Sequence, residues 1–291
     1  MRRAVLVLLL VAALPRPALA VEKLDPVDAI AMIDYTHGAR FKVGDWVRYQ
    51  TRGESHQGYK TDYSVTVLIA GEELWWGEKC FWVETRNSFS GQNPEVTASL
   101  LSYAIFEDPL PSLRFGRYIR KFVEGIDEKG QYIQQPFRRA PAEISNRSFT
   151  EHDPAHELDT LGVSRVEVPK GAFDALKVRK TYRVFETAQV GDSTIYYEMV
   201  QAHTYSWSDQ VPITRLVSID LENTQRRRVW MIGESSDAPL KIVEQVIGGT
   251  TLLDYGSGMK SVCIPERFQR PLSEQQSRPP KPGPKAAGKR G

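Results

Sequence analysis

Thr194-Ile195-Tyr196-Tyr197-Glu198-Met199-Val200-Gln201-Ala202-His203-Thr204-Tyr205-Ser206-Trp207 decides the fold. The run has no Gly or Pro and is rich in Tyr, Thr and other strand formers, so it reads as one long strand. Successive side chains of a strand alternate between faces. Ile195, Tyr197, Met199, Gln201, His203, Tyr205 and Trp207 therefore share one face, and Tyr196, Glu198, Val200, Ala202, Thr204 and Ser206 the other. A face of large, partly polar rings suits a ligand cavity, which combines apolar bulk with a few oriented polar atoms. It equally suits an ordinary core face with Gln201 and His203 at its rim. The candidate ligand-binding set is Tyr197, Met199, Gln201, His203, Tyr205 and Trp207.

The same period of two runs outward in both directions. Before this strand it marks Asp45–Arg52, Asp62–Gly71, Lys79–Asn87, Val96–Glu107, Arg117–Glu124, Gln131–Phe137, Val163–Val168 and Phe173–Thr187. After it come Ile213–Leu221, Arg228–Gly233 and Leu240–Leu253. Arg226-Arg227-Arg228 reads as a solvated turn between the first two of these, with an anion contact as the alternative. Val190-Gly191-Asp192 closes a hairpin. Only one segment has helical spacing. Asp25 is a cap, Pro26 sits at the first helical position, and Val27, Ile30 and Ile33 recur on one side, which predicts an amphipathic helix over 26–37. About a dozen strands and one helix predict a mainly β protein. Its architecture is one strongly curved antiparallel sheet, an open or half barrel, with the N-terminal helix packed on it.

The ends of the chain differ from its body. Arg2 and Arg3 precede an unbroken apolar run from Ala4 to Leu14, and Ala18-Leu19-Ala20 is a small-x-small cleavage site. Residues 1–20 read as a signal peptide, too short in its apolar run to span a bilayer. The expected location is the periplasm or the outside of the cell. No cysteine follows the cleavage site to carry a lipid, and no stable transmembrane anchor is expected. Residues 21–268 form the β-rich domain, with a long connection at 138–162. Residues 269–291 hold six Lys/Arg, one Glu and repeated Pro, and read as a disordered basic tail.

The whole chain has 38 Lys+Arg against 36 Asp+Glu, so no basic field points to nucleic acid. Twelve Tyr, eleven Phe and six Trp exclude a disordered body. There is no G-x-S-x-G elbow, phosphate loop or C-x-x-C, so no catalytic residue and no cofactor are assigned. Glu151-His152-Asp153-Pro154-Ala155-His156-Glu157 is the densest polar cluster. Pro154 starts a helix in the wrong place for both His to share a face, so a solvated loop is read there rather than a metal site. Two readings stay open for Cys80 and Cys263: a disulfide, since export reaches an oxidising compartment, or two separate buried thiols.

Several segments carry a resemblance. They are Val43-Gly44-Asp45-Trp46-Val47-Arg48-Tyr49, Val67 to Glu73 and Phe81-Trp82-Val83-Glu84, then Val168-Pro169-Lys170-Gly171-Ala172-Phe173 leading into Lys177-Val178-Arg179. The last runs from Thr204 to Ile213 and on to Leu216-Val217. Together they resemble the lipoprotein-sorting (LolA/LolB-like) proteins of the bacterial envelope, namely the periplasmic carrier, its outer-membrane receptor and exported relatives. The resemblance implies a curved sheet with helical lids over a concave face that takes up acyl chains. The expected function is a non-enzymatic envelope protein that binds a lipid, acyl chain or lipoprotein. The alternative is an envelope assembly protein that binds another protein through its sheet, and a hydrolase is the third reading.

Overall fold

The computed structural model describes residues 30, 32–89, 94–109, 111, 115–126, 132–135, 156–232 and 239–276. Eleven strands form one antiparallel sheet. They are β1 (Trp46–Ser55), β2 (Lys60–Trp75), β3 (Glu78–Phe89), β4 (Glu95–Ser102), β5 (Ile119–Ile126), β6 (Tyr132–Gln135), β7 (His156–Val168), β8 (Gly171–Val190), β9 (Ser193–Trp207), β10 (Leu216–Met231) and β11 (Lys241–Gly256). Their order is β6-β5-β4-β3-β2-β1-β11-β10-β9-β8-β7. The chain meanders from the centre to one edge, restarts at the other edge, and meanders back until β11 pairs with β1. The order has two ends, so the sheet is open.

Two boundaries correct the sequence reading. Ile213–Leu221 and Arg228–Gly233 are not two strands: Leu216–Leu221 and Arg228–Met231 belong to one strand, β10. Arg226 pairs with Glu198 across the ladder at 3.4 Å, and Arg228 lies over the Tyr196 ring. Cross-strand partners on β9 let the arginine run stay extended, where isolation would have made it a turn. The connection at 138–162 is shorter than expected, because β7 already begins at His156. His152 lies outside the described residues, and among those described no three His, Cys, Asp or Glu gather as a metal site.

Seven of the ten ladders contain a register shift, and each extra residue bends its strand and increases its twist. Gly248 marks the tightest approach between paired strands. It pairs with Gly53, and a Cβ there would stand 2.3 Å from the Arg52 carbonyl oxygen. Only glycine lets two backbones close in this way.

The part of the sheet built from β2 to β4 is buried on both faces over most of its length, whereas β1 buries one face and exposes Arg48, Arg52 and Glu54 on the other. Val47, Tyr49, Tyr63, Val65, Val67, Ile69, Phe81, Val83 and Leu101 face the main core. Leu68, Ala70, Cys80, Trp82, Ala98 and Leu100 face a second one. Burial on both sides explains why Val65 to Ala70 reads as a nearly continuous apolar run.

The main core is closed at one end by the N-terminal segment. Ile30, Ile33 and Tyr35 are buried in it, and Phe41 joins a ring cluster with Phe81, Tyr103 and Phe106. The expected helix over 26–37 does not extend through this segment: residues 32–37 form turns and bends, and 26–29 lie outside the described residues. Continuing it would require the Asp34 N–H to bond the Ile30 carbonyl. Instead Asp34 N–H donates to the Ile213 carbonyl at 2.9 Å, and the Tyr35 hydroxyl donates to Ile30 O at 2.9 Å. A distant carbonyl takes the donor of the helical hydrogen bond, and local groups, the Tyr35 hydroxyl and the Ile33 N–H, take its acceptor.

The second core is covered by the C-terminal segment, through Met259, Cys263, Ile264 and Phe268. Gly71 allows the contact, because a Cβ there would stand 1.9 Å from Phe268 O. The composition places 269–291 in a disordered tail, yet its first residues are folded. Gln269 donates to the Ser261 and Ile264 carbonyls at 3.2 and 2.8 Å. A short helix α1 (Leu272–Gln276) follows, with the Leu272 N–H on the Glu72 carboxylate at 2.8 Å. One distant carboxylate and one glycine, invisible to local composition, help hold the segment down.

Strand β7 is exposed along most of its length. As an edge strand it carries charges at Glu157, Asp159, Arg165 and Glu167, and a bulge between Thr160 and Gly162. Charges and bulges are devices that blunt an edge against unwanted pairing.

Candidate functional site

Strand β9 keeps an unbroken register with β8 from Leu176↔Trp207 to Val190↔Ser193. The pleat therefore places the six residues Tyr197, Met199, Gln201, His203, Tyr205 and Trp207 on one face, all half-buried. The row changes character along its length. Trp207 and Tyr205 stack with ring centroids 5.2 Å apart and pack against the main core. Beyond them His203 lies edge-on to Tyr182 at 5.9 Å, with its Nδ1 3.4 Å from the Tyr205 hydroxyl. Gln201 Nε2 contacts only the Met199 sulfur, at 3.6 Å, among the bonds of its side chain.

Register supplies the neighbours that sequence alone could not. Lys180 stands opposite His203 and Tyr182 opposite Gln201 on β8, while Leu221 and Asn223 stand opposite the same two residues on β10. Lys180 also lies over the Tyr205 ring, 5.7 Å from its centroid. Burial lowers the His203 pKa, and the Lys180 charge adds to this. The neighbouring Asn223 amide acts in the opposite sense. Asn223 is close enough to favour the charged ring, yet neither its Oδ1 nor His203 Nε2 makes a hydrogen bond of good geometry, and both atoms are buried. The neutral imidazole thus carries an unmet hydrogen-bonding nitrogen in an aromatic setting. Burial likewise pushes the Tyr205 hydroxyl up to about 12.

Other polar groups inside the molecule have structural work. Glu84 is fully buried and accepts from Arg86 Nε at 2.7 Å, from Ser261 Oγ, and from the Val262 and Cys263 N–H groups. Glu73 accepts from Lys121 and from Trp82 Nε1. Cys80 and Cys263 lie in the same second core as free thiols, so the disulfide of the first reading is not formed. Burial, first among the causes, pushes Cys80 up to about 12 and Cys263 also upward, the latter aided by Glu84. Buried thiols of this kind are poor nucleophiles.

An Asp–His–Thr cluster near the N-terminus was not anticipated. Asp34 Oδ2 and Thr36 Oγ1 both lie 2.8 Å from the same nitrogen, His37 Nδ1. A proton relay needs the two ring nitrogens to face different partners. Convergence on one nitrogen instead describes a turn network, which Arg215 ties to the sheet through Asp34 and Asp209. A shallow depression on the other face of β1 and β11 is lined by Gln50, Arg52, Pro169, Gly249, Thr251 and Leu253.

No helix among the described residues is long and apolar enough to cross a membrane. No family model matches the chain, and no curated protein matches it. Solved structures with similarity to it include a Parabacteroides distasonis protein described as a candidate lipoprotein. It is 10% identical with a TM-score of 0.31, over 76% of this chain and 98% of that one. A Bacteroides fragilis protein, described as a candidate exported protein with a YmcC-like fold, is 9% identical with a TM-score of 0.30, over 76% and 98%. A protein of Nitrosomonas europaea is 11% identical with a TM-score of 0.23, over 82% and 96%, and is described as a member of the LolA superfamily, the group that the sequence segments resemble.

Proposed function

We propose that the protein is an exported, non-enzymatic envelope protein that holds an apolar, lipid-like ligand against the β9 face of its sheet. The observation that carries this reading is the half-buried row from Trp207 to Tyr197. It starts on the packed core and, beyond Tyr205, carries the buried His203 Nε2 beside Asn223 Oδ1 of β10, neither of which makes a hydrogen bond of good geometry. A row committed to the core would be buried throughout, and its polar atoms would be satisfied internally. A ligand with an apolar body and one hydrogen-bonding group would complete both. The N-terminal segment closes the opposite end of the same face, so such a ligand would lie along the strand with its far end toward Tyr197 and Met199.

The test is mass spectrometry of the natively purified mature protein, with Met199→Trp as the comparison. A retained lipid in the wild type and an empty Met199→Trp variant of near-equal stability support the reading. Loss of about 1–3 kcal/mol in that variant, the cost of overpacking a filled core, overturns it. The second reading, a protein-binding envelope factor, is favoured by the exposed apolar residues Val163 (71%), Ile242 (55%) and Ile247 (59%).

A further inference from the structure

The tip of the β2–β3 hairpin carries a residue that its own turn disfavours. Trp75 pairs directly with Glu78, which leaves a two-residue loop of Trp76 and Gly77. Both have positive φ, 51° and 86°. Such a loop selects Asn or Asp at its first position, because a bulky side chain there crowds the following carbonyl. Trp76 nevertheless occupies it and is 90% exposed, the highest value among the exposed large hydrophobic residues described. Neither the turn nor the core accounts for the ring.

The ring is also held in place. Trp76 stacks on Trp75 with centroids 5.8 Å apart and planes at 17°. On Trp75 sits the Lys121 ammonium, 4.3 Å from the ring centroid, and that ammonium is paired with buried Glu73. A chain of contacts from the second core thus presents an indole outward, with Leu74, two positions earlier, 47% exposed. The carboxylates around the tip are all neutralised. Glu72 has Lys79 at 3.4 Å, Glu73 has Lys121, and Glu78 has Arg120 at 2.7 Å. Lys79 is itself half-exposed.

We propose that this tip, Leu74-Trp75-Trp76, docks the protein on a lipid bilayer by inserting the Trp76 ring at the interface. Indole suits the boundary between headgroups and chains because it is apolar in bulk with one N–H to leave in the polar layer. Paired carboxylates remove the repulsion that an anionic surface would otherwise exert. The inference is independent of the ligand face, which lies on β9 in the other half of the sheet.

The experiment is vesicle flotation of the mature protein with phosphatidylethanolamine and phosphatidylglycerol, read together with tryptophan quenching by brominated lipid. Trp76→Asn places a turn-favoured residue at the same position, so it should melt at or above the wild-type temperature. Its partitioning should fall by about tenfold or more, since the largest inserted apolar area is gone. The quenching seen in the wild type should fall with it. Trp76→Tyr should keep part of the binding, and Met199→Trp should keep all of it. The proposal is overturned if the wild type does not float with vesicles, or if Trp76→Asn floats equally well. It is also overturned if Met199→Trp, rather than Trp76→Asn, abolishes flotation, because the lipid would then be meeting the β9 face.

Discussion

Glu84 and Cys263 are 179 positions apart in the chain and meet inside the second core, where the Cys263 thiol donates to the Glu84 carboxylate at 2.9 Å and the Cys263 N–H to the same oxygen at 3.3 Å. Ser261 Oγ and the Val262 N–H converge on that carboxylate too. One buried anion on β3 therefore organises the turn that begins the C-terminal cover. Arg86 balances its charge from the same strand.

Removing that anion should cost more than any single apolar contact nearby. Glu84→Ala leaves Arg86 without its partner and several N–H groups with nothing to bond. The expected loss is about 3–5 kcal/mol, typical of breaking one side of a buried pair. Denaturant unfolding gives the number. Thiol labelling under native conditions gives a second view: Cys263 should stay unreactive in the wild type and become labelled in the variant. Equal labelling would mean that the carboxylate does not hold the segment.

Truncation should separate two parts of the basic tail. Ending the chain after Gln276 should leave the melting temperature unchanged. Ending it after Phe268 removes Gln269 and α1, and with them the contacts to Ser261, Ile264 and Glu72. A loss of about 1–3 kcal/mol is expected, which for a domain of this size lowers the melting temperature by several degrees. Calorimetry of both truncations decides it.

Gly71→Ala tests the same contact from the strand side. Its new Cβ meets the Phe268 backbone, which cannot rotate away as a side chain could. The cover must lift locally, at a cost of about 1–3 kcal/mol. A crystal structure of the variant should show Phe268 displaced, and a stability within a few tenths of wild type would contradict the close approach.

His203 gives a pH dependence of known sign. Burial holds its folded-state pKa below the ordinary 6.5. Below pH 6.5 the unfolded chain takes up a proton that the folded chain refuses, so this contribution is complete above 6.5 and is lost as the pH falls. Urea midpoints measured from pH 7.5 to about 5 should decline, and His203→Gln should flatten the decline. An unchanged slope in the variant would place the titration elsewhere.

How much of this was legible in the sequence depends on distance. The period-two pattern located the strands because alternation is local, and it put Tyr197 to Trp207 on one face for the same reason. It divided β10 in two because Arg226 and Arg228 look solvated until Glu198 and Tyr196 are set beside them. Lys180, Tyr182 and Asn223 went unassigned around His203, since only the ladder register brings them there. The segment from Gln269 to Gln276 looks like the start of a disordered tail, yet Leu272 finds Glu72 two hundred positions earlier. The helix over 26–37 failed in its second half because Ile213 competes for a backbone donor that periodicity assumes is free.

The position of β11 bears on how the protein is made. It is the last strand among the described residues and it sits near the middle of the sheet, where Thr51 and Thr250, 199 positions apart, share a hydrogen bond at 3.0 Å. A chain emerging from its N-terminus can assemble β1 to β6 early, but β1 keeps a bare row of N–H and C=O groups until almost everything else has been delivered. Contacts of such long range form slowly, and an open strand edge invites pairing with other chains meanwhile. A chain stopped before Lys241 should therefore aggregate rather than remain half-folded, and in the cell the interval before β11 arrives is when a holding chaperone would have the most to cover.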